Sequence, residues 1–419
     1  MKRGAPSLTS PTRQNGSNVI GKRLFVLLAC LFVVMIGFGI TLPVLPFYVE
    51  RLAQAEGATQ QSVVMQVALL TAVYPLSQLV VAPVWGRWSD RAGRRPVLLI
   101  GIGGYVAGQV LFGLAASLPL LYAARIAGGI LSAAVLPVAA AYVADVTTDR
   151  ERSRGMAWMG TATSLGFVVG PALGGTLVRQ ELHVTWRYGH MLVDSFSTPF
   201  FAAAALGLLT LVAAMAWLPE SLPRDVSASG GEEADARPVL RTLGPLLGLA
   251  IAAQFALAMF ETTFVFHARG TLNFGPTELG AVFAVCGVVM MFQLAATSAL
   301  AGRLGEMGRI ATGFALMGAS LTVLMLPRQM AFVLALVALL AAGMALIAPN
   351  LAARISTAGG RRGAGSALGA QNAANSMGQA GGPLIGGALF AWQMDVAYVL
   401  TGVLLTSVGF VIAWKAWRR

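Results

Sequence analysis

Charged residues are scarce in this chain of 419 residues. Only 11% of them are Asp, Glu, Lys or Arg, against about 25% in an ordinary soluble domain. Cysteine is nearly absent as well: Cys30 and Cys286 are the two in the sequence, and both fall within apolar runs. We interpret them as buried packing residues and expect no redox role for either.

Patterns that bind cofactors are also missing. The sequence contains no phosphate-binding loop of the form GxxxxGK[ST], which argues against ATP as a driving force for this chain. His183 and His190 do not have the spacing of metal ligands. We therefore expect no cofactor and no metal site. We also expect no catalytic residue and a protein that is not an enzyme.

Long apolar runs occupy most of the chain, which is 57% hydrophobic. A helix of about 20 residues crosses a hydrocarbon core of about 30 Å. Twelve runs have about that length: 24–48, 63–85, 97–117, 119–143, 156–178, 198–218, 245–267, 278–300, 310–326, 330–350, 364–390 and 396–414. We predict an all-α membrane protein with twelve transmembrane helices, and eleven is the alternative because the ninth run is the shortest.

The positive charges are distributed unevenly between the two sides of the membrane. The net charge is +12, and alternating the loops puts 23 of the 29 Lys and Arg on the side of the N-terminus. This is the positive-inside pattern, so we predict a multi-pass protein of the inner membrane with both termini in the cytoplasm. The basic excess indicates contact with anionic lipid heads and no nucleic-acid partner.

A hydrophilic stretch separates the first six runs from the last six. It has five acids against two Arg, together with Pro, Gly and Ser, as in a solvated linker. The predicted organisation is a disordered cytoplasmic tail over 1–19, an N-terminal six-helix bundle over 20–218, a cytoplasmic linker over 219–240 and a C-terminal six-helix bundle over 241–419.

Each half carries the same two motifs. Residues 166–175 and 378–387 both read GxxxGPxxGG, and the loops 86–96 and 302–309 occupy equivalent places after the second and eighth runs. Small residues at helical spacing let two helix backbones approach closely. Homologous halves of this kind are typical of transporters.

These motifs resemble those of the major facilitator superfamily. The loop GxxxDRxGRR between the second and third runs looks like its signature loop, and the motif in the fifth run resembles that of its drug:proton antiporters. The resemblance extends from about residue 24 to 414 and implies the major facilitator fold. It assigns gating roles to Gly86, Asp90, Arg91, Gly93, Arg94, Gly166, Gly170, Pro171, Gly174 and Gly175. We expect Asp90 to accept hydrogen bonds from helix N-termini and to pair with Arg91 or Arg94 as a cytoplasmic latch; a basic loop that only fixes topology is the alternative.

Two further segments refine the resemblance. Arg125 begins a motif similar to the buried-arginine motif of the antiporters, and Phe260-Glu261-Thr262 looks like the quinolone and multidrug exporters. The resemblance breaks in two places: some tetracycline exporters have an acid in the first run, where this chain has none, and the quinolone exporters have a second acid at a position that matches a residue near Met344 here. Coupling through two intramembrane acids is therefore not expected.

Glu261 is the only acid placed deep in a run. A charged side chain there costs about 2.5–3.5 kcal/mol on insertion scales, so such a residue is usually kept for function. We predict that Glu261 carries the coupled proton and that Arg125, the only basic residue within a run, acts as its counter-charge. The alternatives are a neutral structural acid, and an arginine that ties helices together or reaches the outer surface.

The candidate substrate-binding residues surround Glu261 or add polarity and adaptability to other runs. Aromatic rings can stack on flat or cationic compounds, methionine adapts to many shapes, and residues 371, 375 and 379 form one polar stripe. The predicted set is Gln254, Phe260, Phe264, Met290, Gln293, Gln371 and Asn375. Helix packing is the alternative role for the stripe and for the methionines.

The function that these expectations support is proton-coupled export of small amphipathic compounds or drugs. The alternatives are a narrow exporter of one antibiotic, such as tetracycline, or of one metabolite, and an importer of the same superfamily. The expected partners are a small-molecule substrate, protons and membrane lipid, and the expected state is a monomer.

Overall fold

The computed structural model describes residues 13–55, 57–147, 149–178, 186–188, 191–193, 195–221, 236–292, 304–326 and 329–418. Helices dominate these residues. They are α1 (Arg13–Ala55), α2 (Gln60–Ala92), α3 (Arg94–Gly113), α4 (Leu118–Ser132), α5 (Val135–Val146), α6 (Asp149–Leu177), α7 (Thr198–Trp217), α8 (Ala236–Leu272), α9 (Pro276–Met291), α10 (Glu306–Val323), α11 (Met330–Trp392) and α12 (Met394–Trp417). Two short strands, β1 (Trp186–Tyr188) and β2 (Met191–Val193), pair antiparallel in a loop where no strand was expected.

Nine segments of the described chain are long and apolar enough to cross a membrane. One of them, Leu118–Val146, consists of α4 and α5 together. The helix is interrupted at 133–134 because Pro137, four residues further on, has no N–H to donate to the carbonyl of Ala133. With α9, α10 and the C-terminal part of α11, these segments account for the twelve predicted spans.

The N-terminal part of α11 is a span that packs against α10. Arg309 Nε donates to Asn350 Oδ1 at 2.7 Å, and one turn further along α10, Gly313 approaches Gly343. Residue numbers rise along one helix as they fall along the other, so this part of α11 runs antiparallel to α10.

The C-terminal part of α11 is a second span that packs against α8. Gly378 lies beside Ile251 and Gly386 lies beside Met259, so the two helices run parallel. Helix α12 is antiparallel to both α8 and α10, which makes α8 and α10 parallel to each other. The two ends of α11 therefore run in opposite directions, as two consecutive spans must.

We call the side on which α1 begins the terminal face; it holds the turn between α2 and α3 at Gly93. The opposite side, with the turns at 57–59 and 273–275, is the far face. The predicted domain limits stay a prediction: residues 1–12 and 222–235 of the proposed tail and linker lie outside the described residues, and α1 begins at Arg13.

The duplicated GxxxGPxxGG motif makes the same contacts in both halves. Its first three glycines pack α6 on α1, where a Cβ on Gly170 would lie 2.5 Å from the carbonyl oxygen of Ile36. In the second half they pack α11 on α8, where a Cβ on Gly382 would lie 2.4 Å from the carbonyl oxygen of Phe255. Only glycine permits backbones to approach this closely.

The last glycine of each motif reaches across to the other half. A Cβ on Gly175 of α6 would lie 2.4 Å from the carbonyl oxygen of Pro276 in α9. A Cβ on Gly387 of α11 would lie 2.7 Å from Ala68 Cβ in α2. Each motif therefore holds its own half together and also touches the other half.

The contacts between the halves gather near the far face. Glu50 of α1 forms an ion pair with Arg269 of α8, and Thr277 of α9 donates to the carbonyl oxygen of Gly175 at 3.1 Å. Towards the terminal face, a Cβ on Gly160 of α6 or on Gly369 of α11 would meet no atom of the described residues within 4 Å. The halves are thus closed together on the far face.

Candidate substrate site and gating loop

A cavity of about 160 Å³ lies between the two halves. The first half contributes Phe38, Leu42, Leu45 and Phe167 to an apolar wall, and the second half contributes Leu257 and Met290. The polar side chains on its lining are Thr41, Thr71, Arg125, Gln254, Glu261, Thr262 and Gln379. A mostly apolar cavity with a few polar groups is the usual form of a small-molecule site.

Glu261 contributes the carboxylate of this cavity from α8. It forms no hydrogen bond or ion pair with any of the residues that the structure describes. An ionised carboxylate is costly in an apolar surrounding unless it is paired, and either a proton or a cationic ligand removes that cost. Among the described residues, Glu261 is therefore an acid that a proton or a cationic ligand in the cavity can stabilise.

Arg125 reaches the same cavity from α4 in the other half. Its Nε donates to the carbonyl oxygen of Leu70 at 3.3 Å, and its guanidinium lies 4.8 Å from the ring centroid of Tyr74. The cation is stabilised by these two contacts within the first half. Arg125 and Glu261, both described, do not form an ion pair here.

The structure brings together some of the predicted binding residues. Gln254 and Met290 line the cavity with Glu261. Phe260 and Phe264 do not: both are fully buried, with ring centroids 5.1 Å apart. Each residue turns an α-helix by about 100°, so Phe260 points away from the face that Glu261 shares with Gln254. These two rings form core packing in the second half.

The polar stripe of α11 meets the cavity at one position. Gln379 lines it, whereas Gln371 is buried and Asn375 is half-buried away from the lining. Gln293 lies outside the described residues.

Three threonines on the lining were not predicted from the sequence. Thr41, Thr71 and Thr262 donate to carbonyl oxygens of their own helices, at 3.1, 2.8 and 2.8 Å. A hydroxyl that donates to its own helix in this way costs little free energy in an apolar span. Threonines are therefore common in such spans and carry little signal, although Thr262 directly follows Glu261.

The loop after α2 is held by ion pairs at the terminal face. Arg94 pairs with Asp90 at 2.5 Å and with Asp145 of α5 at 3.1 Å, and Arg91 is exposed. In the second half, Arg309 makes the equivalent contact with Asn350. Each loop thus ties the start of one helix to the end of a later span in its own half.

The N-terminus of α3 is capped by Glu220 and not by Asp90. The Glu220 carboxylate accepts from the backbone N–H groups of Arg94 and Arg95, at 2.8 and 3.1 Å. Gly93 has φ 98°, and a Cβ there would lie 2.5 Å from a Glu220 oxygen. An anion is favourable at a helix N-terminus. The expected cap exists, but Glu220, which the sequence placed in the linker, provides it.

A duplicated bundle of membrane-spanning helices around a central cavity is the architecture of a secondary transporter. The model of the Major Facilitator Superfamily matches residues 27–369. The chain belongs to that superfamily, as its motifs predicted, and is a multi-pass membrane transporter of small molecules and not an enzyme.

Its relatives match it over nearly their whole length. Multidrug resistance protein 2 of Bacillus subtilis is 28% identical, over 94% of this chain and 96% of its own. The quinolone resistance protein NorA of Staphylococcus aureus is 25% identical, over 95% of this chain and 98% of its own.

Two solved structures have the same fold. The human organic anion transporter MFSD10 (TETRAN) matches with a TM-score of 0.69 and 23% identity, over 94% of this chain and 99% of its own. A bacterial homolog of the human lysosomal transporter Spinster, in an inward-facing and unoccupied conformation, matches with a TM-score of 0.73 and 15% identity, over 97% of this chain and 98% of its own. The predicted fold class, with twelve transmembrane helices in two bundles of six, is confirmed.

Proposed function

We propose that the chain is a proton-coupled antiporter that exports small amphipathic compounds, drugs included, across the inner membrane. It works as a monomer with both termini in the cytoplasm. The observation that carries the proposal is the Glu261 carboxylate, which faces the cavity between the halves with no partner among the described residues. The relatives named for multidrug and quinolone resistance support export of drugs.

Exchange follows if a proton and a substrate compete for Glu261. The carboxylate needs a partner in the apolar cavity, and either occupant serves. A substrate that binds from the cytoplasm displaces the proton, and a proton that arrives from outside displaces the substrate. Arg125, on the opposite wall, is the counter-charge that becomes available when Glu261 is ionised and unoccupied.

The shape of the molecule supports loading from the terminal face. The halves touch near the far face, and the distribution of Lys and Arg supports a cytoplasmic terminal face. The conformation is then closed to the outside. Cavities that hold drug-sized ligands have roughly 300–1,000 Å³, so the present cavity of about 160 Å³ must widen as the substrate enters.

A growth assay tests the proposal. A pump-deficient bacterium that expresses the chain is grown against a panel of toxic compounds, with the Glu261→Gln variant as the matched control. Resistance to several chemically unrelated amphipathic compounds, lost in the variant, is the expected result. Resistance to one compound alone supports the narrow exporter, and greater sensitivity or faster uptake supports an importer; either result contradicts the proposal.

A further inference from the structure

A large groove opens on the outside of the second half, away from the central cavity. It has a volume of about 930 Å³ and lies between α8 and α12. Its wall is a continuous face of α12, with Leu400, Leu404, Val408 and Val411, opposite Leu249 of α8. Because these helices cross the membrane, the groove is an apolar surface that is open to lipid.

The groove has the depth of one lipid leaflet. Its lining runs along α12 from Leu400 to Lys415, a distance of about 22 Å at the rise of an α-helix. Half of a bilayer's hydrocarbon core is about 15 Å thick. The groove therefore extends from the headgroup region at the terminal face through the acyl chains of that leaflet.

Two basic residues stand at the mouth of the groove. Arg354 of α11 and Lys415 of α12 both belong to its lining. Glu306 lies 3.7 Å from Arg354, and both of those side chains are 42% exposed, so one carboxylate offsets one of the two cations. The nearby Trp414, with Arg418 stacked 3.9 Å from its ring centroid, marks this level as the membrane–water interface.

A second groove provides a contrast. It lies between α1 and α6, has a volume of about 480 Å³ and is lined by Phe25, Leu28, Trp158 and Leu165, among others. None of the described residues that line it is charged. Any acyl chain could occupy it, but it offers no charge that would select a headgroup.

We propose that the groove between α8 and α12 binds an anionic phospholipid. One acyl chain lies against the α12 face, and the anionic phosphate of the headgroup contacts Arg354 and Lys415. Glu306 competes with the lipid for Arg354 and so limits its affinity. The site recognises an acyl chain and a net negative charge together. A zwitterionic lipid has the acyl chain but not the net negative charge, so it should bind less tightly.

Native mass spectrometry of the purified full-length chain in detergent tests this site. The probes are phosphatidylglycerol and phosphatidylcholine with identical acyl chains. We expect tighter binding of phosphatidylglycerol. Lys415→Gln and Arg354→Gln should each weaken that binding about fivefold, the usual effect of one basic residue at a lipid surface. The loss for phosphatidylcholine should be smaller, because its choline cation offsets the charge of its phosphate.

Two further variants separate this site from general surface charge. Glu306→Gln should strengthen phosphatidylglycerol binding, because it frees Arg354. Arg154→Gln removes an equal charge from an exposed position on α6 at the same face and should change nothing. Equal affinity for both lipids, or a loss in Arg154→Gln that matches Lys415→Gln, would overturn the proposal.

Leu404→Trp tests the apolar part of the groove. The indole should fill the groove and weaken both lipids, and Leu404 is 54% exposed, so folding does not depend on it. If this variant instead changed the ratio of dimer to monomer while phosphatidylglycerol still bound, the occupant would be a second copy of the chain and the lipid assignment would be wrong.

Discussion

Two ionisable side chains enter one small cavity from opposite halves of the molecule. Arg125 is already stabilised, by a carbonyl oxygen and an aromatic ring of its own half. Glu261 has no such contact with any described residue. The difference matters for transport. Arg125, which its own half stabilises, can stay charged through a transport cycle, whereas Glu261 must exchange one partner for another.

Replacing Glu261 by Gln tests this role directly. Glutamine keeps the shape and the hydrogen bonding of the side chain but cannot ionise, so gradient-driven export should fall to background while the protein still reaches the membrane. The measurement is substrate efflux from inverted vesicles with an imposed pH gradient. Glu278→Gln is the matched control: its oxygen caps Gly275 at 2.9 Å outside the cavity, and glutamine serves as well there. Undiminished efflux in Glu261→Gln would refute the role.

Replacing Asp90 by Asn tests the gating loop. The side chain keeps its size but loses the charge that pairs with Arg94. Because the loop lies outside the cavity, turnover should slow several-fold while substrate affinity stays the same. Transport kinetics and direct binding to the purified protein measure the two quantities separately. Weaker binding at an unchanged maximal rate would mean that Asp90 does not act as a latch.

At the scale of helices, the glycine motif explains how four spans pack in two equivalent pairs. The contact of α6 with α1 is reproduced by the contact of α11 with α8, at matching positions of the repeat. Prolines within these helices do not end them, because neighbouring helices cover the broken hydrogen bonds. The motif is therefore a packing surface in each half.

Gly170→Ala should destabilise the fold. Its Cβ would lie 2.5 Å from the Ile36 carbonyl oxygen, and such overpacking costs about 1–3 kcal/mol. The added Cβ of Gly160→Ala, on the same helix, would meet no atom within 4 Å in the described part of the chain, so this variant should stabilise the helix by up to about 1 kcal/mol. The thermal unfolding midpoint in detergent should fall for the first variant and hold or rise for the second. Equal midpoints would show that the α1–α6 contact is looser than described.

The helices were largely predictable from the sequence, and the site only in part. Hydropathy identifies spans because each backbone polar group in lipid must be satisfied within its own segment. Glu261 was identified because charged residues are rare within the apolar runs. The capping role of Glu220 was not predictable, since it depends on the end of α7 meeting the start of α3. The core positions of Phe260 and Phe264 depend on which face of α8 meets the other half, which an evenly apolar helix does not reveal.

At the scale of the whole molecule, two halves joined near one face can rock about the central cavity. The duplicated contacts of Gly175 and Gly387 place one close approach on each side of the interface between the halves. If these contacts broke and the ends of the two halves at the terminal face came together, the cavity would open to the far face. Alternating access of this kind moves the halves as bodies and leaves their internal packing intact.

The number of deep carboxylates predicts the charge that moves in each cycle. With Glu261 alone, one proton exchanges for one substrate, so a monovalent cation leaves without net charge movement. The membrane potential, worth about 2.3 kcal/mol per charge at 100 mV, then does not assist it. In vesicles with the potential collapsed and the pH gradient kept, export of the cation should persist and export of a neutral compound should weaken. An equal loss for both would require a second titrating group.

The ion pair between Glu50 and Arg269 makes the salinity of the surroundings a factor in this cycle. Arg269 is 43% exposed and Glu50 10%, so dissolved ions reach one partner freely. The pair is only partly buried, so dissolved salt weakens it, although less than it would weaken a pair of fully exposed charges. Low salt therefore favours the form that is closed at the far face, whereas high salt lowers the free energy needed to open that face. The resting pump is held shut most firmly when its environment is least salty.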